Sequence, residues 1–451
     1  MNTHRPHQQT QGRGSRGTLV ARRQGLVIWP HHRSLGLGRL REAAQRFASF
    51  RLLMGLLLLA IAVPAQAQEV EETIRIKTRV VFLDALVKDK KTNLPISNLT
   101  TENFEVLDDG KPRPISYFTR EGEARKPLAL VLIMDLRESG AGRFLRRPEI
   151  IKAMEDELAK LPAGDEVAIM AMDFNEAEER FWVTEFTNER AKLASALARV
   201  QAICEKKESF PPEARQQTAT VTPTGKPEVL ETETIKGKNG AVVTRTTMTD
   251  GTVNVKRVNN DGRVTIELDD VYDMTAVVKE AIRKSEQLRP NSQTSVVWLS
   301  DGIAPIFFED RDATEQLLIR NNVIFNSLTV ELRTLFKFLM PVGKPVAGWF
   351  GVSLYGSAKH LAQRSGGEAV KVGKPKDYSA GLARIIGNLT ARYSLGFTLA
   401  ESETDDGRLH SLEVRVNAKD EKGKKRKLLV TSRQGYYMST AMPKEAAVRA
   451  Q

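Results

Sequence analysis

An unbroken aliphatic run sets the strongest limit on how this 451-residue chain can fold. The run reads Leu128-Ala129-Leu130-Val131-Leu132-Ile133-Met134 and ends at Asp135. Because its apolar residues do not alternate with polar ones, the run predicts a strand that is buried on both faces. Strands of this kind lie in the centre of a parallel sheet with helices on both sides, since a sheet with one solvated face would alternate.

Strands and helices alternate along the chain from this run onward. Apolar residues at helical spacing predict helices at 150–158, 193–200, 275–288, 313–320 and 382–389. Short apolar runs predict further strands at 167–172, 181–183, 295–299 and 323–328. The alternation predicts an α/β fold with a doubly wound, mainly parallel sheet of the Rossmann-like kind. Binding sites in such sheets lie at the carboxyl ends of strands, near the point where the strand order reverses.

Segments rich in β signals flank this α/β domain, which we place at 125–391. Residues 68–124 predict a β module whose hairpin joins strands at 104–107 and 114–118 through the Asp109-Gly110 turn. Residues 392–438 predict a C-terminal β segment, and 439–451 a tail.

Residues 205–270 interrupt the alternation with many Lys, Glu, Thr and Pro residues. Two interpretations stay open for this insertion: a protruding ribbon of exposed β-strands, or a disordered segment. In both, the insertion lies outside the core.

The first 67 residues predict a leader with a secretory signal peptide. Arg41, Arg46 and Arg51 precede an apolar run at 52–63, and the small residues Ala65 and Ala67 then mark a cleavage site. The run is too short for the roughly 20 residues of a spanning helix, although an uncleaved N-terminal anchor remains an alternative. We therefore expect a chain that is exported to the periplasm or the cell exterior, begins at Gln68 and does not span the membrane.

Net charge argues against a nucleic-acid partner once the leader is set aside. The formal charge of the chain is +12, but residues 1–68 contain ten Arg residues and a single acidic residue. The remainder is close to neutral, which lacks the strong basic patch of a nucleic-acid binder. Cys204 is the sole cysteine, so no disulfide can form within the chain.

Four motifs mark the region between the leader and the tail. A motif at 98–110, Asn-Leu-Thr-Thr-Glu-Asn-Phe-Glu-Val-Leu-Asp-Asp-Gly, opens the region, and Arg433-Gln434-Gly435-Tyr436-Tyr437 closes it. Between them lie the strand that ends in Asp135 and the turn Ser300-Asp301-Gly302. Together these motifs resemble the von Willebrand factor type A (VWA) domain, and more closely the VWFA-related secreted proteins of the acidobacterial type. The resemblance covers about 69–438 and implies a VWA-like fold.

The resemblance implies a metal-ion-dependent adhesion site on the upper edge of the sheet. The family pattern is Asp-x-Ser-x-Ser after the first strand, a Thr before a later helix and an Asp after the fourth strand. Matched residue by residue, the implied metal ligands are Asp135, Ser139, Thr275 and Asp301. Two carboxylates and neutral hydroxyls suit Mg²⁺ or another divalent cation, with an open position for a carboxylate of the partner.

Arg137 departs from this pattern, because it stands where the family has its first Ser. A guanidinium cannot ligate a metal and would repel a neighbouring cation. Two alternatives remain: Arg137 turns outward, or it replaces the metal by pairing with Asp135 or Asp301. Thr275 also lacks the usual preceding Gly residues and could instead cap a helix. Two possibilities therefore stay open: the site binds a divalent cation, or it has no cofactor.

Three functions are compatible with these motifs. We expect first a secreted, non-enzymatic module for protein interaction or adhesion, with an unidentified protein ligand and a degenerate adhesion site. The alternative is a structural envelope protein that docks through its β-ribbon insertion. A metal-assisted hydrolase is disfavoured, because the chain has no Gly-x-Ser-x-Gly, His-Glu-x-x-His or Walker motif, and only His360 and His410 follow the leader.

Overall fold

The computed structural model describes residues 79–120, 125–138, 140–173, 179–209, 228–248, 253–268, 274–330, 347–348, 352–374, 376–420 and 422–438. The leader at 1–67, the tail at 439–451 and Ser139 lie outside the described residues, so the expectations for them stay predictions. No helix in the described ranges combines the length and the apolar composition needed to cross a bilayer.

The elements are numbered in chain order. The strands are β1 (Arg79–Asp89), β2 (Phe104–Asp108), β3 (Lys111–Arg113), β4 (Tyr117–Thr119), β5 (Leu128–Asp135), β6 (Glu166–Asp173), β7 (Glu179–Thr187), β8 (Val229–Lys236), β9 (Val242–Met248), β10 (Val253–Val258), β11 (Val264–Leu268), β12 (Gln293–Ser300), β13 (Ile303–Phe307), β14 (Ile324–Val330), β15 (Val352–Tyr355), β16 (Ala369–Val372), β17 (Tyr393–Leu399), β18 (Leu409–Val416), β19 (Leu428–Thr431) and β20 (Gly435–Tyr437). The helices are α1 (Gly142–Leu145), α2 (Pro148–Ala159), α3 (Arg190–Cys204), α4 (Met274–Leu288), α5 (Phe308–Arg320), α6 (Ser357–Ser365) and α7 (Lys376–Thr390).

A six-stranded sheet forms the centre of the α/β domain. Its strand order is β16-β14-β12-β5-β6-β7, and every neighbouring pair is parallel except β6 with the edge strand β7. Numbered within the domain, this is the doubly wound order 3-2-1-4-5-6. The predicted fold class, a mainly parallel doubly wound sheet flanked by β-rich segments, is confirmed.

Strand β5 supplies side chains to hydrophobic cores on both faces of this sheet. Leu130, Leu132 and Met134 join the core formed with α1, α2, α3 and α7. The alternate residues Val131 and Ile133 join the core formed with α4, α5 and α6. All eight residues of β5 are buried, so the strand can be nothing other than a central one.

The N-terminal and C-terminal β segments build one sandwich together. Its two antiparallel sheets have the orders β19-β1-β17-β4 and β20-β18-β2-β3, and they enclose a shared hydrophobic core. Strand β1 lies between β17 and β19, and β2 pairs with β18. Each sheet therefore needs strands from both ends of the described chain.

The hairpin after β2 is tighter than the sequence predicted. Asp109 and Gly110 have φ angles of 48° and 78°, which is the two-residue turn that an Asp-Gly pair favours. Such a turn returns the chain at once, so β3 already pairs with β2 at Lys111. The predicted partner at 114–118 is wrong, because β4 instead pairs with β17 in the other sheet.

The described part of the insertion forms a four-stranded antiparallel sheet with the order β11-β10-β9-β8. Two of its arginines are buried against α5: Arg245 pairs with Asp310 at 3.1 Å, and Arg257 pairs with Glu309 at 3.0 Å. Of the two interpretations that the sequence left open, the described part has the ribbon form, but these two side chains are buried. Removing one partner of such a buried pair costs about 3–5 kcal/mol, so the pairs hold the ribbon sheet to the helix.

Buried arginines also join the sandwich to the α/β domain. Arg433 donates to the carbonyl oxygen of Ile319 on α5 at 3.1 Å and also to that of Phe82 on β1. Arg392 donates to the carbonyl oxygen of Gly366 at 2.7 Å. Burial lowers the pKa of Arg433 to about 10, so it still carries its charge at neutral pH.

Replacement of Tyr393 by Phe tests the closure of the sandwich. The buried Tyr393 hydroxyl donates to the carbonyl oxygen of Ile96 (2.6 Å) and accepts from the Leu99 N–H (3.0 Å). Because both backbone groups would lose their partner, Tyr393→Phe should lower the free energy of unfolding in urea by about 2 kcal/mol. Tyr437→Phe, the same change at a half-buried ring beside Arg320, should cost under about 0.5 kcal/mol. Equal losses in the two variants would contradict this assignment.

Candidate functional site

Two aspartates meet at the carboxyl edge of the central sheet. Asp135 ends β5, and Asp301 directly follows β12, the parallel neighbour in which Leu299 pairs with Met134. The strand order reverses between β5 and β12, so this is the switch point at which doubly wound sheets bind ligands. Both carboxylates are buried, with 0% of Asp135 and 3% of Asp301 exposed.

The guanidinium of Arg137 lies on the Asp135 carboxylate. Its Nε donates to Asp135 Oδ1 at 2.9 Å, and its Nη2 donates to Oδ2 at 2.6 Å. The same Nη2 lies 3.6 Å from Asp301 Oδ1, so one cation bridges the two carboxylates. This two-point pairing is the strongest geometry available to an Arg–carboxylate pair.

Ser300 completes the contacts of Asp135. Its hydroxyl Oγ lies 2.7 Å from Asp135 Oδ2 and 3.3 Å from Asp301 Oδ1. The backbone N–H of Arg137 also faces Asp135 Oδ1 at 3.2 Å. Both oxygens of Asp135 therefore already have protein donors.

This arrangement does not fit a divalent cation. Mg²⁺ requires oxygen ligands at about 2.1 Å in near-octahedral geometry. Here Arg137 covers the oxygens that such an ion would use, and its own charge would repel the ion. Of the two orientations that the sequence left open, the structure has the paired one, and Arg137 contacts both aspartates.

The four implied metal ligands are only partly described. Thr275 is the second residue of α4 and is fully buried, while Ser139 lies outside the described residues. Arg137 contacts both Asp135 and Asp301, which is one of the two alternatives that the sequence left open. Metal ligation by Asp135, Ser139, Thr275 and Asp301 was expected from the resemblance; it is not tested at Ser139, and the contacts of Arg137 with the two aspartates argue against it.

Glycines let the loop after β5 close over the aspartate. A Cβ on Gly140 would lie 2.6 Å from the Asp135 carboxylate, and one on Gly142 would lie 2.0 Å from the carbonyl oxygen of Leu136. The Ala141 N–H also donates to the Asp135 carbonyl oxygen at 3.1 Å. Sequence reasoning missed this requirement, although the spacing Gly140-Ala141-Gly142 directly after a strand end was a usable signal.

A buried phenol lies on the other side of this edge. Tyr378 of α7 is completely buried and stacks on Phe144 with ring centroids 6.0 Å apart. Burial raises its pKa well above the ordinary value, and Cys204 and Asp135 raise it further. The phenol is therefore neutral and cannot serve as a base at physiological pH.

Both histidines that follow the leader lie beside carboxylates. His360 Nε2 is 2.7 Å from Glu315 Oε2, and Arg364 donates to the other oxygen of Glu315 at 2.7 Å. Burial raises the pKa of Glu315, but the hydrogen bonds from His360 and Arg364 outweigh it and hold that pKa below its ordinary value.

Two His-carboxylate groups in the described part of the chain have ligand atoms close enough to hold a metal ion. One contains Asp312, Glu315 and His360, and the other Asp108, Asp109 and His410. Sequence reasoning included neither group, because their members lie far apart in the chain or belong to a turn.

Comparison with known proteins gives only distant similarity. No protein-family model and no curated protein matches this chain. Among solved structures, the chain is similar to human COPII-coat protein Sec24c at 9% identity and a TM-score of 0.31, covering 70% of this chain and 44% of that one. It is also similar to a von Willebrand factor type A protein from Catenulispora acidiphila at 9% identity and a TM-score of 0.33, covering 79% and 73%.

A third solved structure is the vWF domain of the type V pili tip protein Mfa5 from Porphyromonas gingivalis. It shares 11% identity with this chain at a TM-score of 0.25, covering 58% of this chain and 95% of that one. The chain spans less than half the length of Sec24c. All three TM-scores are below 0.5, so the description of the fold rests on the strand order of this chain.

Substitution of Gly140 tests how tightly the loop holds Asp135. In Gly140→Ala the new methyl group would overlap the Asp135 carboxylate, and the variant should lose about 1–3 kcal/mol of unfolding free energy in urea. Gly164→Ala is the matched control, because a Cβ there meets nothing within 4 Å. The control should be neutral or stabilising by up to about 1 kcal/mol. Equal stability of the two variants would show that the loop has room to move.

Proposed function

We propose that this chain is an exported, non-enzymatic protein-interaction module whose VWA-like switch-point site works without a metal ion. The observation that carries the proposal is the guanidinium of Arg137, which lies between Asp135 and Asp301 where a cation would otherwise be needed. Export, through cleavage of the leader before Gln68, is part of the proposal.

Electrostatics supports the replacement of the metal ion by an arginine. Two neighbouring buried carboxylates repel one another, so a cation that contacts both of them stabilises the pair. A guanidinium remains charged at every physiological pH, whereas Mg²⁺ must be supplied by the solvent. The site is therefore complete at any concentration of divalent cations.

The arrangement of polar groups at this edge supports a binding role over catalysis. Ser300 donates to Asp135, and no histidine in the described ranges is hydrogen-bonded to it as a general base would be. His360 and His410 lie instead against Glu315 and Asp109.

A second surface favours docking through the insertion. A groove of about 1250 Å³, here called the ribbon groove, lies between β7, α4 and the β8–β9 side of the ribbon sheet. Leu230 and Leu288 line it with 50% and 44% of their surfaces exposed. Its basic side chains are Arg180, Arg245, Lys279, Arg283, Lys284 and Arg289, against the acidic Glu185, Glu231, Glu233 and Glu280.

The chemistry of the ribbon groove fits a protein segment that carries both apolar and acidic side chains. The exposed leucines would be covered by the apolar groups. Five of the six basic side chains already pair with carboxylates of the protein, so an acidic group of the partner would pair chiefly with the sixth, Arg283. This surface would serve equally in an envelope protein that docks through its insertion, so the two interpretations share one binding test.

Conversion of Arg137 to Ser tests the metal-free site. Without metal, Arg137→Ser should lose about 3–5 kcal/mol of unfolding free energy, because it leaves buried carboxylates unpaired. Mg²⁺ should restore part of this loss, by about 2.7 kcal/mol at a hundred times its dissociation constant. The wild-type chain should show neither binding heat nor a shift in Tm with millimolar Mg²⁺.

Arg146→Ser is the control for that experiment, since Arg146 is exposed and lies 3.8 Å from Glu138. It should change stability by less than about 0.5 kcal/mol, with or without Mg²⁺. Binding of Mg²⁺ by the wild-type chain, with a gain in stability, would contradict the proposal of a metal-free site.

A displayed peptide library, selected against the whole chain in EDTA, tests the binding surface. We expect enriched peptides to combine acidic and apolar residues, and their affinity to fall about tenfold or more in Leu230→Glu and Leu288→Glu, as loss of buried apolar contacts predicts. Leu94→Glu, at another exposed leucine, should bind normally. Peptides that bind all three variants equally would contradict the ribbon groove as the docking surface, and enrichment that occurs only when Mg²⁺ replaces EDTA would contradict the metal-free site.

A further inference from the structure

A second group of charged residues lies at one end of the sandwich, far in sequence from Asp135. The turn between β2 and β3 presents Asp108 and Asp109, and His410 is the second residue of β18, the neighbouring strand. The backbone N–H of Asp109 donates to the carbonyl oxygen of Ser411 on this strand at 2.9 Å. These three residues are called the turn cluster.

We propose that the turn cluster binds a divalent transition-metal ion of the zinc class. The ligand atoms would be Asp108 Oδ1, Asp109 Oδ2 and His410 Nδ1, with solvent at the remaining position. Three protein ligands with nitrogen and oxygen donors and one open position are a recurrent zinc arrangement.

The spacing of the three atoms suits such an ion. His410 Nδ1 lies 3.1 Å from Asp109 Oδ2 and 3.9 Å from Asp108 Oδ1. All three ligand positions fall within 4.8 Å of one another. A tetrahedral zinc ion with bonds of about 2.0–2.1 Å separates its ligands by about 3.3 Å, so small rotations of these side chains would bring them into place.

One buried carboxylate oxygen of the turn cluster has no hydrogen-bond donor, which also supports a bound metal ion. Asp108 is 4% exposed, and its Oδ1 has no hydrogen-bond partner among the described residues. Its other oxygen, Oδ2, accepts from Arg113 at 2.7 Å and from the Tyr436 hydroxyl at 3.1 Å. Buried carboxylate oxygens normally have a partner, and Oδ1 faces His410 in a position that a cation would satisfy.

The second atom of each proposed ligand is fixed by the protein. His410 Nε2 lies 3.2 Å from Asp406 Oδ1. The ring can therefore donate its Nε2–H to Asp406 and direct the lone pair of Nδ1 toward the ion. Asp109 Oδ1 accepts from the Ser411 N–H at 2.8 Å. A carboxylate behind a ligating histidine is the usual way in which proteins orient such a ring.

Charge and access also suit a cation. Arg408 reaches Asp109 Oδ2 at 2.9 Å, but its side chain is 55% exposed and can withdraw into solvent. Asp109 is itself about one-third exposed, which gives an ion a path to the otherwise buried pair of Asp108 and His410. Without a metal, hydrogen bonds of the His410 ring with Asp109 and Asp406 would link these side chains instead, and the experiment must separate the two arrangements.

The other His-carboxylate group lacks these features. Both oxygens of Glu315 already have partners, in His360 and Arg364, and none of the three described residues of that group has a buried oxygen without a hydrogen-bond partner. His360 therefore provides a control rather than a second proposal.

Metal titration of the full chain tests the turn cluster. After treatment with EDTA and dialysis, Zn²⁺ should bind with a stoichiometry of one at micromolar or tighter affinity and raise Tm. Co²⁺ in its place should give the visible absorption of a nitrogen- and oxygen-ligated ion. His410→Gln should weaken Zn²⁺ binding by more than 100-fold, and His360→Gln should leave it unchanged.

Two further variants keep the test decisive if His410→Gln fails to fold. Asp109→Asn changes a partly exposed side chain and should also abolish binding, while Asp406→Asn should weaken binding by about 10–100-fold through loss of ring orientation. Absence of a Zn²⁺ heat in the wild-type chain, or binding that survives in both His410→Gln and Asp109→Asn, would overturn the proposal. The turn cluster would then be a histidine that is hydrogen-bonded to carboxylates.

Discussion

The buried carboxylate of Asp135 determines which side chains lie at the carboxyl edge of the central sheet. Asp135 ends a strand whose residues are all buried, so its ionised form needs a cation held by the protein itself. Arg137 supplies that cation from two residues away, and the loop with Gly140 folds tightly enough to hold the pair. Ser300 and Asp301 reach the same point from the neighbouring strand, so the contact also links β5 and β12 at their ends.

Other charged side chains repeat this solution at the borders between the parts of the fold. Arg245 and Arg257 attach the ribbon sheet to α5, and Arg392 and Arg433 attach the sandwich to the α/β domain. An arginine can present several N–H donors in fixed directions while keeping its charge when buried, which suits it to borders where backbone carbonyls and carboxylates face inward. The hydrophobic cores stabilise each part, and these arginines fix how the parts meet.

Local sequence patterns predicted five of the six strands of the central sheet, all but β16, because burial on one or two faces leaves a direct record in the order of apolar residues. The run that became β5 and the strand ends at Asp135 and Asp301 are of this kind, and they located the switch-point edge. The pairing of β1 with β17 and of β2 with β18 left no such record, since hydrogen bonding between distant strands does not depend on local periodicity. The burial of Arg245 was hidden for the same reason: its partner lies on α5, 65 residues further along the chain.

The orientation of Arg137 and the assembly of the turn cluster lie beyond what a motif can give. A motif identifies residue types, but the rotamer of Arg137 depends on two carboxylates contributed by different strands. His410 likewise meets Asp109 only because β18 is the neighbour of β2 in the sheet, with the two residues 301 positions apart. Such sites become visible once the topology is known.

The sandwich has a consequence for the order in which the chain can fold. Its core includes contacts such as that of Leu99 with Tyr393, which are 294 residues apart, and closing so long a loop in a flexible chain is slow. Prior folding of the α/β domain would shorten the loop that must be closed, because the first and last elements of this domain place β4 and β17 on the same side of it. During synthesis β1 and β4 would therefore have no partner strand until the C-terminal strands leave the ribosome, and β2 would pair only with β3. A chaperone that covers β1 in that interval would shield apolar side chains that later join the core of the sandwich.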